Sequence, residues 1–133
     1  MRELLIDADI FLYKATRLSE REINWGGDSW TLHCDLAEVK TIIDEKQRID
    51  VLVNNAGWGI WGTGEDVSLE EFREQFETNF FSIVRLIQKV APTMRKQGSG
   101  DIVNISSVAG RIGFPVSTAY ISSKFALEGF QNL

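Results

Sequence analysis

Residues 49–57 read IDVLVNNAG, an apolar run that stops at two asparagines and a glycine. A short, nearly continuous apolar run is typical of a strand covered on both faces, as in parallel sheets. Leu4–Ile6 and Ile102–Ile105 show the same pattern. Helical segments separate and follow these runs, so the sequence predicts an α/β fold of three layers. We expect a short parallel sheet of about three strands in chain order, with helices on both faces.

Four segments have apolar residues at helical spacing, and we place them at Asp9–Leu18, from Asp35 onward, from Ser68 to about Arg95, and at Thr118–Phe130. Ser68 and Glu71 have the spacing of a capping box, which predicts the start of the long third helix. Pro92 should bend or end that helix. Ile23–Trp30 is rich in asparagine and glycine, which indicates a loop or a hairpin.

Composition bounds the possible functions. The chain has 133 residues, of which 44% are apolar, and its net charge is −5. This length predicts one α/β domain over residues 1–133, and the absence of a basic patch argues against a nucleic-acid partner. A single cysteine favours a reducing compartment, so we expect a cytoplasmic protein. No apolar run is long enough to predict a membrane span.

Polar residues follow each predicted strand, and carboxyl ends of parallel strands form the edge where ligands bind. The first strand is followed by Asp7 and Asp9, the second by Asn54, and the third by Ser106 and Ser107. In the last helix, Tyr120 and Lys124 are four residues apart and share one face. An ammonium group there favours a phenolate, which a phenol needs to act as a general acid or base.

Residues 49–133 resemble the middle of a short-chain dehydrogenase/reductase, which implies a partial Rossmann-like fold. The resemblance is carried by four elements in order: Asn54-Asn55-Ala56-Gly57, Asn79, Ser107, and the pair Tyr120 and Lys124. The step of 13 residues from Ser107 to Tyr120 also agrees with the family.

The resemblance implies hydride exchange between NAD or NADP and a small-molecule carbonyl or alcohol. Tyr120 would protonate the carbonyl oxygen, Ser107 would orient it, and Asn79 would hold a water of the proton relay. Lys124 would assist Tyr120 and bind the nicotinamide ribose. The cofactor-binding residues would be Asn54, Asn55, Ala56, Gly57, Tyr120 and Lys124. In the alternative interpretation, Asn54 and Asn79 satisfy backbone groups and Ser107 caps a turn.

The family resemblance also implies a homodimer formed through the long helix and the helix of Tyr120 and Lys124. Phe72, Phe80, Phe81 and Phe125 are the candidate contact residues. An apolar surface left on these helices would drive the association.

Residues 1–47 resemble the opening strand and helix of phage-type 5′ nucleases, a family in which the residue matching Asp7 helps to bind Mg²⁺. Asp7 and Asp9 are therefore weak metal candidates, although they could instead only cap a helix. This segment carries 6 Lys and Arg against 10 Asp and Glu, a net charge of −4. We interpret the chain as a chimera, natural or engineered, with a seam near residues 47–48.

The family's glycine-rich turn after the first strand is absent, because Leu5–Ile10 reads LIDADI. Bare amide groups at a helix start bind pyrophosphate, whereas carboxylates repel it. Gly57–Gly62 matches G-x-G-x-x-G, but the next helix signal waits until Ser68, so we predict a loop there. We expect weak cofactor binding and no activity of this chain alone. The alternatives are a folded chimera without activity and a remnant of a Mg²⁺-dependent nuclease.

Overall fold

The computed structural model describes residues 4–7, 22–25, 28–31 and 36–131. Its strands form one sheet in the spatial order β2-β3-β1-β4-β5. The strands are β1 (Leu4–Asp7), β2 (Glu22–Trp25), β3 (Asp28–Thr31), β4 (Val51–Asn54) and β5 (Asp101–Asn104). The architecture is therefore α/β, as the sequence predicts.

The three predicted strands lie side by side in chain order, and both pairs are parallel. Their last residues, Asp7, Asn54 and Asn104, are partners in the register and form one row across the sheet. The carboxyl ends of β1, β4 and β5 thus meet at one edge, which confirms the predicted location of the polar residues.

The sheet has five strands instead of about three. The Asn- and Gly-rich stretch forms a hairpin in which β2 and β3 are antiparallel, and β3 pairs with β1 in parallel. The sequence of this stretch is compatible with a loop or a hairpin, and it does not predict that the hairpin extends the sheet. The added strands occur because β1 has unpaired backbone groups on its outer side that a further strand can satisfy.

The described helices are α1 (Leu36–Lys46), α2 (Leu69–Phe76), α3 (Ser82–Gln97) and α4 (Thr118–Phe130), with a π-helical turn at Glu77–Phe81 between α2 and α3 and a 3₁₀ turn at Val108–Gly110. The predicted capping box is present, since the Ser68 and Glu71 side chains each accept a hydrogen bond from the other residue's backbone N–H. Between the end of β4 and Leu69, a stretch that the structure describes in full, no helix begins, so the loop predicted at Gly57–Gly62 is confirmed.

Pro92 does not end the long helix, which was one of the two outcomes predicted for it. α3 continues to Gln97 and ends at Gly98, whose backbone is left-handed with φ 73°. Proline removes one backbone donor, and the turns on either side keep their own hydrogen bonds. Glycine adopts a left-handed conformation without a steric penalty, so the helix ends there.

One face of the sheet is covered by α1 and α3. Their buried residues form a core with the strand residues Leu52 and Ile102, and this core includes Val39, Leu86, Val90 and Met94. The helix predicted at Asp9–Leu18 lies outside the described residues, so the structure does not describe what it covers. Within the described ranges, no helix is long and apolar enough to cross a membrane.

Candidate active site

The loop after β4 runs along the carboxyl edge of the sheet and is anchored by two amide side chains. The Asn79 Nδ2 donates to the Trp58 carbonyl oxygen at 2.8 Å, and its Oδ1 accepts from the Trp58 N–H at 3.1 Å. The Gln75 side chain accepts from the Ile60 N–H at 2.8 Å and donates to the Trp58 carbonyl at 2.6 Å. Both side chains are fully buried.

Asn79 also connects this loop to α4. It lies in the π-helical turn, and its Nδ2 donates a second hydrogen bond to the Ser123 hydroxyl at 3.1 Å. The Ser123 hydroxyl in turn donates to the Tyr120 carbonyl oxygen at 2.7 Å. Extra residues in π-helical turns often mark functional sites, because they redirect a side chain from the regular helix face.

Lys124 is buried beside Tyr120. Its side chain is almost fully buried, its Nζ donates to the Ile105 carbonyl oxygen at 3.0 Å, and it lies 5.9 Å from the centre of the Tyr120 ring. Burial lowers the pKa of the Lys124 ammonium below its ordinary value, because the charged form loses hydration. The i, i+4 spacing thus places a desolvated ammonium beside the Tyr120 ring.

Gly57 gives the loop its close approach to these side chains. A Cβ added there would lie 3.5 Å from both the Lys124 Nζ and the Asn79 Oδ1. A larger side chain would fill the space over the ammonium. The absence of a side chain at Gly57 therefore leaves a small space beside the buried ammonium.

Ser107 caps the 3₁₀ turn that follows β5. Its hydroxyl oxygen accepts from the Ala109 N–H at 3.1 Å, and its backbone is extended. The capping role that we considered is therefore present. That bond uses one lone pair, so the hydroxyl hydrogen can still be donated to a ligand. The turn packs tightly on α4, since a Cβ added at Gly110 would lie 3.0 Å from the Lys124 carbonyl oxygen.

The remaining predicted residues differ in their surroundings. Asn54 is fully buried and donates to the Asn104 Oδ1 at 2.7 Å, while its own Oδ1 is buried without a hydrogen-bond partner among the described residues. Ala56 is buried and Asn55 is exposed. Asp7 ends β1 in the same row as Asn54.

The structure offers no metal centre in the part that it describes. No group of three His, Cys, Asp or Glu side chains there could hold a metal ion. Asp9 lies outside the described residues. The weak metal assignment to Asp7 and Asp9 therefore stays a prediction without structural support.

Gln75 is the residue of this site that sequence reasoning missed. It precedes Asn79 by four residues, so both lie on one helix face. That face is otherwise apolar, with Phe72 and Phe76 in the neighbouring turns. A buried amide on an apolar face was the available signal. Trp61, in the same loop, is 75% exposed, so its side chain does not cover the core.

The buried Lys124 predicts a pH dependence of stability. Because its pKa is lowered in the folded state, the unfolded chain binds more protons in the alkaline range below 10.5. Stability contributed by this residue therefore rises with pH in that range. We expect the free energy of unfolding of the unmodified protein, measured in urea, to rise with pH relative to that of Lys124→Met.

Lys40→Met is the matched control for that measurement. Lys40 is exposed, and the hydrogen bond that it donates to Asp44 raises its pKa, so its contribution to stability changes only above 10.5. The difference in free energy of unfolding between the unmodified protein and Lys40→Met should not change with pH below 10.5. If the free energy of unfolding of Lys124→Met changes with pH in parallel with that of the unmodified protein, the ammonium of Lys124 is not buried and desolvated as described.

Comparison with known proteins identifies the family of this chain. Residues 16–133 match the short chain dehydrogenase family. The chain belongs to the short chain dehydrogenase family. An uncharacterized oxidoreductase, YusZ of Bacillus subtilis (strain 168), is 52% identical over 82 residues, which are 62% of this chain and 29% of that protein. The resemblance that the motifs indicated is thereby confirmed.

Two further proteins extend the comparison. The 3-ketodihydrosphingosine reductase of Bacteroides thetaiotaomicron is 49% identical over 92 residues, which are 69% of this chain and 34% of that enzyme. The structure of ElxO with NADP bound aligns with a TM-score of 0.75 and 25% identity, over 97% of this chain and 64% of ElxO. The chain thus spans about a third of the length of YusZ and of the Bacteroides reductase.

The family match bears on the segment before β4. It begins at residue 16, so the seam placed near residues 47–48 falls inside the matched region. Most of the segment that resembled a phage-type 5′ nuclease is therefore part of the short chain dehydrogenase match. The proteins compared above give the nuclease resemblance and the chimera no support.

Proposed function

We propose that the chain carries the catalytic site of an oxidoreductase that uses NAD or NADP to interconvert a small-molecule carbonyl and an alcohol. The observation that supports this most directly is the buried Lys124 beside the Tyr120 ring. Hydrogen bonds through Ser123 also connect the Tyr120 backbone to Asn79. These groups meet at the carboxyl edge of β4 and β5, where α/β sheets bind ligands. Membership of the short chain dehydrogenase family supports the same reaction class.

The residues at this edge fit the nicotinamide ribose of such a cofactor. Lys124 has three N–H donors and uses one on the Ile105 carbonyl oxygen, so two can be donated to ribose hydroxyls. Gly57 leaves space beside that ammonium. The buried Asn54 Oδ1, which has no hydrogen-bond partner in the part of the chain that the structure describes, is a further acceptor at this edge. When bound, the nicotinamide would supply or accept the hydride.

The side chains of this chain would handle the proton. In reduction, Tyr120 would donate its phenolic proton to the carbonyl oxygen, and Ser107 would donate a hydrogen bond that orients the same oxygen. Lys124 would stabilise the phenolate that remains. Asn79 would keep the loop and α4 in place, as its hydrogen bonds to Trp58 and Ser123 indicate.

We propose that weak cofactor affinity limits the catalytic activity of this chain. The sequence after β1 continues Ala8-Asp9 and has no glycine before Gly26, so it offers an acid where the family has a glycine-rich turn. A carboxylate there would repel a pyrophosphate. This is the reason to expect weak binding and little activity of the chain by itself.

The test is turnover at increasing NADPH concentration with a panel of small ketones and aldehydes. Consumption of NADPH should rise with its concentration and reach a plateau only at high concentration, because the cofactor site is weak. Submicromolar affinity, measured by NADPH fluorescence, would contradict the proposed weakness of the cofactor site. Absence of turnover at every concentration, in a chain shown to be folded, would refute the catalytic proposal.

Other expectations stay predictions. They are the nuclease remnant, the inactive or engineered chimera and the cytoplasmic location. Dimerisation through the long helical segment (α2, the π-helical turn and α3) and α4 belongs with them; Phe81 of the turn and Phe125 of α4 are 45% and 46% exposed. Sedimentation would test the dimer, because the two helices would lose that exposed apolar area on association.

A further inference from the structure

Gln75 is a fully buried polar side chain whose two polar atoms both bind the same loop. Its Oε1 accepts from the Ile60 N–H, and its Nε2 donates to the Trp58 carbonyl oxygen. Burying an amide is costly unless its hydrogen bonds are made, so the two bonds fix the side chain and the loop together. Gln75 thus determines how far the 57–60 loop (Gly57–Ile60) stands from α2.

The residue between the two anchors contacts Tyr120. A Cβ added at Gly59 would lie 3.2 Å from the Tyr120 Cδ2 and 3.4 Å from its Cγ, so the backbone of the loop packs directly on the ring. Because Trp58 and Ile60 flank Gly59, displacement of either anchor moves this contact. The hydrogen bonds of Gln75 are therefore connected mechanically to the position of the phenol.

We propose that Gln75 is a positioning residue: through the 57–60 loop it holds the Tyr120 ring in the orientation that proton transfer requires. This inference rests on the proposed function of Tyr120. Gln75 does not itself contact the phenol, and it acts through Trp58, Gly59 and Ile60.

Gln75 and Asn79 bind different sets of atoms in the loop, and this difference makes the proposal specific. Trp58 is bound by both side chains, so it keeps an anchor when Gln75 is removed. Among the described residues, the Ile60 N–H has its hydrogen bond to Gln75. Loss of Gln75 should therefore free the Ile60 side of the loop and leave the Trp58 N–H protected.

The experiment uses the full chain and NMR. Gln75→Met keeps the length of the side chain and removes both hydrogen bonds. We expect faster hydrogen exchange at the Ile60 amide, unchanged exchange at the Trp58 amide, and loss of the nuclear Overhauser contact between Gly59 and the Tyr120 ring. The sequence has two tyrosines, so Tyr13→Phe assigns the ring signals.

Val90→Ala is the matched control. Val90 is fully buried in the core between α1 and α3, away from the loop. Its substitution destabilises the fold and should keep the Gly59 contact with Tyr120. Loss of that contact in Val90→Ala as well would show a general loosening and overturn the proposal, as would its retention in Gln75→Met.

Two more variants keep the test decisive if Gln75→Met does not fold. Gln75→Glu retains a donor and an acceptor when its carboxyl is protonated and loses the donor when it ionises. The contact between Gly59 and Tyr120 should therefore be present at acidic pH and lost as pH rises. Gly59→Ala leaves Gln75 in place and should shift the Tyr120 signals, because the added Cβ presses on the ring. Unchanged Tyr120 signals in both would overturn the proposal.

Turnover separates this inference from the proposed function. Misplacement of a catalytic group by about 1 Å can lower a rate by about a hundredfold, so kcat of Gln75→Met should fall between about tenfold and a hundredfold. The KM for NADPH should change little, since Gln75 is not one of the residues proposed to bind the cofactor. An unmodified chain without turnover would refute the proposed function and leave the NMR result on Gln75 intact. Unchanged kcat despite a lost ring contact would overturn the positioning role alone.

Discussion

Turnover by Tyr120→Phe is expected to be lower than that of the unmodified chain by about 10²–10⁴-fold, the usual contribution of a general acid or base. Phenylalanine keeps the ring that packs on Gly59 and removes only the hydroxyl that would exchange a proton with the substrate. The fold and the buried Lys124 should be unaffected. NADPH consumption at a fixed, high cofactor concentration measures the effect.

Tyr13→Phe is the matched control, because Tyr13 is the other of the two tyrosines. The same chemical change there should leave turnover within about twofold, a small change on the free-energy scale. Equal rates for Tyr120→Phe and the unmodified chain would remove Tyr120 from the reaction. Circular dichroism of both variants separates loss of chemistry from loss of fold.

Local signals in the sequence predicted much of the fold. The capping box of Ser68 and Glu71 and the apolar spacing of Thr118–Phe130 depend on neighbours within one or two helical turns, and the structure has both features. The pairing of the hairpin with β1 depends on a distant strand edge. Turn residues such as Gly26 and Gly27 predict a reversal of the chain, but not the sheet that receives it.

In the candidate site, too, contacts within one helix were predicted and contacts between elements were not. Tyr120 and Lys124 were found because four residues along a helix place two side chains together. The acceptor of the Lys124 ammonium is the Ile105 carbonyl oxygen, which comes from another element. Contacts between elements carry no local pattern in a single sequence. Gln75 was missed for that reason, although its position four residues before Asn79 placed it on the same face.

Leu52→Ala tests the core that supports the site. Leu52 is fully buried between β4 and the helices α1 and α3, where it joins Val39, Leu86 and Val90. Removing a buried leucine side chain loses its transfer free energy and leaves a cavity. We expect the free energy of unfolding in urea to fall by about 2–5 kcal/mol.

Leu69→Ala controls for the same substitution at the surface. Leu69 is 66% exposed at the first position of α2, so its change should stay within about 0.5 kcal/mol. A small decrease in the free energy of unfolding of Leu52→Ala would mean that α1 and α3 do not pack on the sheet as described. Asn54 follows Leu52 by two residues on the same strand face, so this core lies beneath the strand whose last residue stands at the edge of the candidate site.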